Sequence, residues 1–267
     1  MAKIRRSPWR MLLPAEHGSW AWLLVPFGAG TAVSRSLALP VWLVLIGALA
    51  VFLMRQPATI WLRARQGKAG KTQGQTAVRW LIILGTVALL CLLGLLWQGR
   101  WLLLWLLLPP LLILLGYLLV AQRRPADVRS LWLELAGAAV LALLAPAAYM
   151  ATVNRLDTTA GLLWGLLAGQ NVLGAFYVRL RIADTHKRPF TRLPTLIIHW
   201  LAFAATILLW WLNLLQLPAL LPYLFFALRM VWAAVQPRPV ANIKQFGLLE
   251  TAVELLGGLC YVLGLMN

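Results

Sequence analysis

Long apolar stretches, separated by short polar connections, make up most of the chain. A helix that crosses the hydrocarbon core of a bilayer needs about 20 mostly apolar residues. Nine stretches meet this requirement, with approximate bounds 16–33, 38–54, 80–97, 101–121, 131–151, 161–178, 194–212, 217–235 and 246–266. The pattern predicts an all-α, polytopic membrane helix bundle of nine transmembrane helices, forming a single domain over residues 1–267. Pro109 and Pro110 are adjacent in the fourth stretch, which we expect to be the most bent.

The composition supports a membrane location. Hydrophobic residues make up 62% of the 267 residues and charged residues only 12%, a balance that is unusual for a water-soluble domain. Cys91 and Cys260 lie far apart in apolar stretches, so we expect neither a disulfide framework nor a thiolate metal site.

Positive charge predicts the orientation of the helices, because Lys and Arg accumulate in cytoplasmic loops. The net charge is +17, yet of the 24 basic residues only Arg35, Arg100 and Arg155 follow the first, third and fifth stretches. Arg229 lies within the eighth stretch, and the other 20 are on the opposite side, mainly in two long loops at 55–79 and 179–192. We therefore expect a cytoplasmic N-terminus and an outside C-terminus. Anionic lipid headgroups account for the charge, and nucleic acid is not an expected partner.

Two of the predicted helix ends share a layout. At an offset of 124 residues, the pairs are Phe52 with Phe176, Arg55 with Arg179, Arg63 with Lys187, and Lys68 with Arg192. The match predicts an approximate repeat of residues 12–121 and 131–236, followed by a ninth helix at 246–266. An even number of spans in each repeat would put both basic loops on one side. Two ordinary cytoplasmic helix ends would give a similar pattern, so both interpretations stay open.

Polar residues inside the predicted spans concentrate near the basic loops. Ionisable groups are costly in a membrane and are candidates for function, and hydrocarbon cannot solvate them, so we expect them to face one cytoplasmic cavity. Structural roles also stay open, since Glu16 and Glu134 could complement a helix dipole and His199 could simply pack. Arg55 and Arg179 could anchor helix ends, while Asp184 is spaced to pair with Arg181 or Arg188.

An anion with an apolar tail fits this set of residues. Arginine offers a planar fork of donors to phosphate or carboxylate, and lysine adds a point charge. A proton acceptor must lie within hydrogen-bond reach of the reacting group, and we assign this catalytic role to Glu16 or His17. The predicted substrate-binding residues are Arg55, Arg63, Lys68, Lys71, Asn171, Arg179, Arg181, Lys187, Arg188, Arg192, His199, Arg229, Glu250 and Glu254. Motifs for nucleotide hydrolysis, dinucleotide binding, zinc proteolysis and serine hydrolysis do not occur, and no metal site is predicted.

Several segments resemble the YwiC-like family of bacterial membrane proteins. They are PAEHGSWAWLLVPFGAG near the start, FLMRQP and GKTQGQTAVRWL in the first half, and FYVRLRI in the second. The resemblance covers most of the chain and implies a multi-pass protein of the bacterial cytoplasmic (inner) membrane. It implies no particular reaction.

The arrangement is also similar, more loosely, to the UbiA superfamily of intramembrane prenyltransferases. Its members have nine helices, a cytoplasmic N-terminus, and active loops after helices two and six, which are the positions of the two basic loops here. In that superfamily, aspartates of each loop hold magnesium on a prenyl pyrophosphate. Here residues 55–75 contain no Asp or Glu, and the second loop keeps only Asp184. The resemblance therefore implies a UbiA-like fold whose arginines and lysines neutralise the ligand, with neither Mg²⁺ nor another cofactor expected.

These observations lead to one principal hypothesis and two alternatives. In the principal one, the chain binds an isoprenoid or lipid (pyro)phosphate in a basic cytoplasmic cavity and is a lipid-modifying transferase or a diverged relative of one. The first alternative is a transporter or lipid flippase, which would need polar groups in the outer half, where we expect almost none. The second is a noncatalytic membrane factor that binds lipid or a protein partner, and the sequence does not identify such a partner.

Overall fold

The computed structural model describes residues 18–123 and 130–266. The predicted catalytic pair, Glu16 and His17, lies outside these residues. Within the described ranges every regular element is helical, and a short 3-10 helix at Leu217–Leu220 precedes the ninth α-helix. The α-helices are α1 Gly18–Ser34, α2 Leu39–Arg65, α3 Lys71–Trp97, α4 Leu103–Arg123, α5 Leu131–Leu141, α6 Leu144–Val153, α7 Thr158–Thr185, α8 Arg192–Trp211, α9 Leu221–Val235 and α10 Ile243–Leu265.

Eight helical segments of the described chain are long and apolar enough to cross a membrane. They are α2, α3, α4, α5 with α6, α7, α8, the 3-10 helix with α9, and α10. The described part of α1 has 17 residues and packs against α6 and α10. The prediction of an all-helical integral membrane protein is therefore confirmed.

Helices α2 and α7 extend well past the apolar stretches that predicted them. Because α2 continues to Arg65 and α7 to Thr185, the connections that follow are only residues 66–70 and 186–191. The prediction of two long basic loops was wrong because it ended each helix where the apolar residues end. Arg, Lys, Gln and Ala are good helix formers, so a helix anchored by packing propagates through them. Arg55, Arg63 and Arg179 therefore lie on helices.

Proline interrupts the fifth span and not the fourth. α4 continues through Pro109 and Pro110, whereas the fifth span is divided into α5 and α6 close to Pro146. Proline has no N–H to donate to the carbonyl four residues earlier, which here belongs to Ala142. The amide of Ala145 donates to that carbonyl at 3.1 Å. The carbonyl that loses its usual donor to the proline is therefore still paired.

The inner and outer helices differ sharply in burial. α7 is the central helix, with buried residues distributed along its length from Ala160 to Ala183. α4 has a single buried residue, Leu103, and exposes a series of leucines. Since exposed apolar side chains suit contact with lipid tails, α4 lies at the periphery of the bundle.

Glycines bring the inner helices into close contact. A Cβ atom added to Gly30 would lie 2.0 Å from the carbonyl oxygen of Ala145, and one added to Gly258 would lie 2.5 Å from a methyl group of Val25. These contacts hold α1 against α6 and α10. Small residues serve this purpose in membranes, where association depends on close packing and hydrogen bonds and not on a hydrophobic driving force.

Both basic connections lie at one end of the bundle, which we call the basic end. The side-chain amide of Gln66 donates to the carbonyl of Gln122 at the end of α4, 3.3 Å away. Arg179 near the end of α7 pairs with Glu134, in the first turn of α5, which follows α4. The opposite end, which carries the connection between α6 and α7, is the far end.

Asp157 fixes the connection at the far end. Its carboxylate accepts hydrogen bonds from the Ala160 amide at 3.0 Å, the Tyr149 hydroxyl at 3.0 Å and the Arg155 Nε at 2.8 Å. Partial burial acts to raise the pKa of this carboxyl, but the three donors and the positive charge of Arg155 outweigh it and hold the pKa below its ordinary value. Asn154 adopts a left-handed conformation at φ 53° and ends α6.

We predict that Gly30→Ala destabilises the fold by about 1–3 kcal/mol, because the added methyl group meets a backbone carbonyl that cannot rotate away. Unfolding of the detergent-solubilised protein would measure the change. Gly28→Ala on the same helix is the matched control, since a Cβ there meets nothing within 4 Å. Equal stability of the two variants would contradict the contact between α1 and α6.

Candidate functional site

At the second basic connection, between α7 and α8, two of the five basic residues of 179–192 are paired with carboxylates. Arg179 Nε donates to Glu134 at 2.6 Å, and Arg192 pairs with Asp184. The expected pairing of Asp184 with Arg181 or Arg188 was wrong. The backbone at 186–191 brings Arg192 back over the last turn of α7, and the Arg238 amide donates to the other Asp184 oxygen at 2.7 Å.

Arg181 also has a largely structural environment. Its Nε donates to the carbonyl of Arg238 at 2.6 Å, and its Nη1 donates to the Tyr177 hydroxyl at 2.6 Å. The guanidinium lies over the rings of Trp232 and Phe246, at 5.4 and 5.2 Å from their centroids. Arg181 therefore joins the end of α7 to the connection between α9 and α10.

Lys187 and Arg188 remain exposed at the end of α7. Lys187 has a positive φ of 53°, and the Arg188 amide donates back to the Ala183 carbonyl at 2.9 Å. This is the geometry that satisfies the last carbonyls of a helix. The two side chains are left available to solvent or headgroups, and their role as ligand-binding residues stays a prediction.

The first basic connection, between α2 and α3, has a different electrostatic character. Its exposed cations have no carboxylate partner among the described residues, and the sequence contains no Asp or Glu between Glu16 and Asp127. All five described carboxylates belong to the later helices, and four of them pair with Arg155, Arg179, Arg192 and Arg229. The cations concerned are Arg63, Arg65, Lys68 and Lys71.

A cavity of about 350 Å³ lies beside this connection. It is formed by the last turns of α2 and α4 and is lined by Trp61, Leu62, Arg65, Gln66 and Gln122. The Arg65 guanidinium lies 5.1 Å from the centroid of the Trp61 ring. The cavity thus combines a cation, two primary amides and an apolar wall. The predicted site residues do not include Trp61, Arg65 and Gln122, because these become neighbours only through the unpredicted extension of α2.

The ends of α2 and α7, which carry Arg55 and Arg179, lie on either side of α1. The Trp20 ring packs edge-on against Phe52 at 5.1 Å between centroids, while Trp22 packs with the cluster that contains Phe176. Arg55 extends toward α4, with its guanidinium 4.5 Å from the Tyr117 ring centroid, whereas Arg179 extends toward α5. The contacts of the two arginines thus differ, and a single cavity shared by both stays a prediction.

The remaining predicted residues form a buried polar layer between α7, α9 and α10, with α8 beside it. Arg229 Nη1 donates to both carboxylate oxygens of Glu250, at 3.2 and 3.0 Å, and this pair is 8% and 17% exposed. The amide of Gln170 donates to the Glu254 carbonyl at 3.0 Å and to its carboxylate. His199 is fully buried, with Nδ1 2.7 Å from the Thr195 carbonyl.

Asn171, also a predicted residue, lies beside this layer and faces α1 and α5. Its amide nitrogen donates to the Ala138 carbonyl at 3.0 Å and to the Trp22 carbonyl at 3.3 Å. Arg229 is further enclosed by aromatic rings, at 4.1 Å from the centroid of Tyr177 and 4.4 Å from that of Phe226. Within residues 18–123 and 130–266, no three His, Cys, Asp or Glu side chains meet in a way that could hold a metal ion.

These features define the class of the protein: a polytopic helical membrane protein with a cationic end and a polar layer buried between its inner helices. Residues 13–149 match the model of the family described as YwiC-like protein. The chain therefore belongs to the YwiC-like family. A comparison with curated proteins gives no match, and a comparison with solved structures gives none either.

We predict that Arg229→Met destabilises the protein by about 3–5 kcal/mol, because it leaves the Glu250 carboxylate buried without a counter-charge. Adding Glu250→Gln should recover part of this loss, and unfolding in detergent would measure both. Arg155→Met is the control, since its ion pair is exposed and its loss should change stability little. If the effects of Arg229→Met and Glu250→Gln simply add, the pair is not a coupled unit.

Proposed function

We propose that this protein binds the phosphate headgroup of a membrane lipid, an isoprenoid phosphate or an anionic phospholipid, at the connection between α2 and α3. The observation that carries the proposal is the uncompensated positive charge beside the cavity at the ends of α2 and α4. Every described carboxylate lies on the later helices, so an anion at the first connection meets cations and no acidic side chain among the described residues.

The lining of the cavity suits a phosphate group. Arg65 can present its planar fork of donors to phosphate oxygens, and the side-chain amides of Gln66 and Gln122 can add further hydrogen bonds. Lys68 and Lys71 lie in and just after the connection, where they contribute attraction at longer range. The Trp61 ring supplies an apolar wall next to the charged group.

The surface of α4 offers a path for the lipid tail. Leu115 and Leu119 are exposed and share a helical face with Gln122, at spacings of four and three residues. An acyl or isoprenoid chain attached to a phosphate in the cavity can therefore lie along these leucines toward the middle of the bilayer. The ligand would be held by charge at one end and by apolar contact along its length.

The wider topology is part of the same proposal. We infer a nine-helix, UbiA-like bundle in the bacterial cytoplasmic membrane, with the basic end facing the cytoplasm. The positions of the two basic connections, after the second and the sixth span, support the UbiA-like arrangement. The concentration of Lys and Arg at these connections supports the orientation.

A transfer reaction is the further step of the proposal. Arg63, Arg65 and the two lysines would stabilise charge on a departing phosphate, since preorganised cations at a site of developing charge lower the barrier. Glu16 or His17, immediately before α1, would accept a proton from the second substrate. In this scheme the arginines and lysines replace the metal ions that neutralise pyrophosphate in the UbiA superfamily.

The binding step can be tested with the detergent-solubilised protein and two probes, farnesyl pyrophosphate and phosphatidylglycerol, measured by native mass spectrometry. Arg63→Gln with Arg65→Gln should weaken binding about thirtyfold, since each basic residue near an anionic headgroup contributes about 1 kcal/mol. Arg35→Gln with Arg155→Gln removes the same charge from the far end and is the matched control, because all four arginines are exposed.

The two probes separate the possible sources of the phosphate. Stronger retention of farnesyl pyrophosphate identifies an isoprenoid ligand, and stronger retention of phosphatidylglycerol identifies a phospholipid. Absence of binding to both probes, or equal weakening by the two pairs of substitutions, would contradict the proposed site.

A further inference from the structure

One face of α10 carries a series of polar groups along much of its length. Glu250, Glu254 and Tyr261 are separated by four and seven residues, so their side chains share one side of the helix. At 1.5 Å per residue, the series spans about 16 Å along the helix axis. Tyr223 of α9 joins it, because its ring lies 5.9 Å from that of Tyr261. We expected almost no polar groups in the far half of the bundle, but these two tyrosines lie there.

Several atoms along this series are buried and have no hydrogen-bond partner. They include donors and acceptors alike: Nε and Nη2 of Arg229, Oε1 of Gln170 and the hydroxyl of Tyr261. Hydrocarbon can form hydrogen bonds with none of these atoms. Each buried polar atom without a hydrogen bond therefore costs folding free energy. A mixture of spare donors and acceptors is the pattern that bound water satisfies.

The space along the series restricts what can occupy it. A Cβ atom on Gly257 would lie 2.0 Å from Gln170 Oε1, and one on Gly174 would lie 2.9 Å from Glu254 Oε1. α7 and α10 are therefore packed closely around the polar groups. Such close packing leaves no room for a lipid or a metabolite, whereas a proton can pass between neighbouring hydroxyl and carboxyl groups.

Both ends of the series approach the surface of the bundle. Toward the far end, a cavity of about 330 Å³ is lined by Leu162, Gly264 and seven further residues, including Thr158 and Gln216. Gly264 is three residues after Tyr261, and the Tyr223 hydroxyl donates to the Leu166 carbonyl at 2.8 Å, one turn from Leu162. Toward the basic end, Glu250 keeps 17% of its side chain exposed.

The two carboxylates on this face have different partners. Glu250 forms an ion pair with Arg229. Glu254 is the one carboxylate among the described residues without an arginine or lysine partner. The groups that face Glu254 are Trp22 of α1, Gln170 of α7, Tyr223 and Arg229 of α9, and Tyr261 and Glu250 of α10, and His199 of α8 lies near Arg229. Glu254 is thus the group best suited to accept and release a proton.

We propose that this face of α10, together with α7 and α9, forms a proton path between the far-end cavity and the basic end, an activity separate from lipid binding. A proton arriving from the far-end cavity passes along the tyrosine hydroxyls and bound water to the Glu254 carboxylate. It then moves to Glu250 and leaves to solvent at the basic end. Only O–H bonds form and break, and one positive charge crosses the bundle for each proton.

Proton flux into proteoliposomes tests the proposal. The vesicles contain a trapped pH-sensitive dye, and a potassium gradient with valinomycin provides the driving potential and the compensating charge. Wild type should acidify the interior faster than protein-free vesicles do. Glu254→Gln and Tyr261→Phe should reduce flux to the protein-free level, and Glu254→Asp should keep part of it.

Thr251→Val is the matched control. Thr251 is a polar residue of the same helix whose hydroxyl donates to the Gly247 carbonyl of its own helix, so its removal should leave flux unchanged. A wild-type unfolding transition of each variant in detergent shows that it is folded. Wild-type flux no greater than that of protein-free vesicles would overturn the proposal, as would normal flux through folded Glu254→Gln or Tyr261→Phe.

Discussion

The inability of hydrocarbon to solvate charge determines how this bundle is built. Arg229 and Glu250 lie between helices that must bury them, and each is tolerable there because the other supplies its counter-charge. The aromatic rings of Tyr177 and Phe226 close over the guanidinium and complete its surroundings. α7, α9 and α10 are thereby held in one arrangement, against which α1 packs through Gly258.

The few carboxylates of the chain divide its basic residues into two classes. In the second half, arginines at the basic end are matched by Glu134 and Asp184, and their hydrogen bonds tie the ends of α5, α7, α8 and α9 together. In the first half, the cations of the connection between α2 and α3 have no such partner within the described residues. Similar sequence patterns therefore support different roles, structural in one place and available for binding in the other.

Much of the fold could be predicted from the sequence, because apolar length alone identifies a spanning helix. The helix ends could not, since the residues that follow the apolar stretch of α2 favour helix and carry it on to Arg65. The partner of Asp184 was missed for a related reason: local spacing favours Arg181 or Arg188, and only the path of residues 186–191 brings in Arg192. The polar groups of α10 were visible as a spacing of four and seven residues, but the tyrosine was not counted among them. The lining of the cavity at the ends of α2 and α4 could not be predicted, because it forms only when these two helices pack together.

The hydrogen bonds of Arg181, Arg192 and Asp184 determine which helices can move at the basic end. They join the connection after α7 to the connection after α9, so displacing either connection would break these hydrogen bonds. α4 has a single buried residue, and its last turns are joined to α2 by the Gln66 hydrogen bond to the Gln122 carbonyl and by the contact of Arg55 with the Tyr117 ring. A ligand at the basic end would therefore be accommodated by displacement of α4, while the helices joined by the hydrogen bonds of Arg181, Arg192 and Asp184 keep their positions.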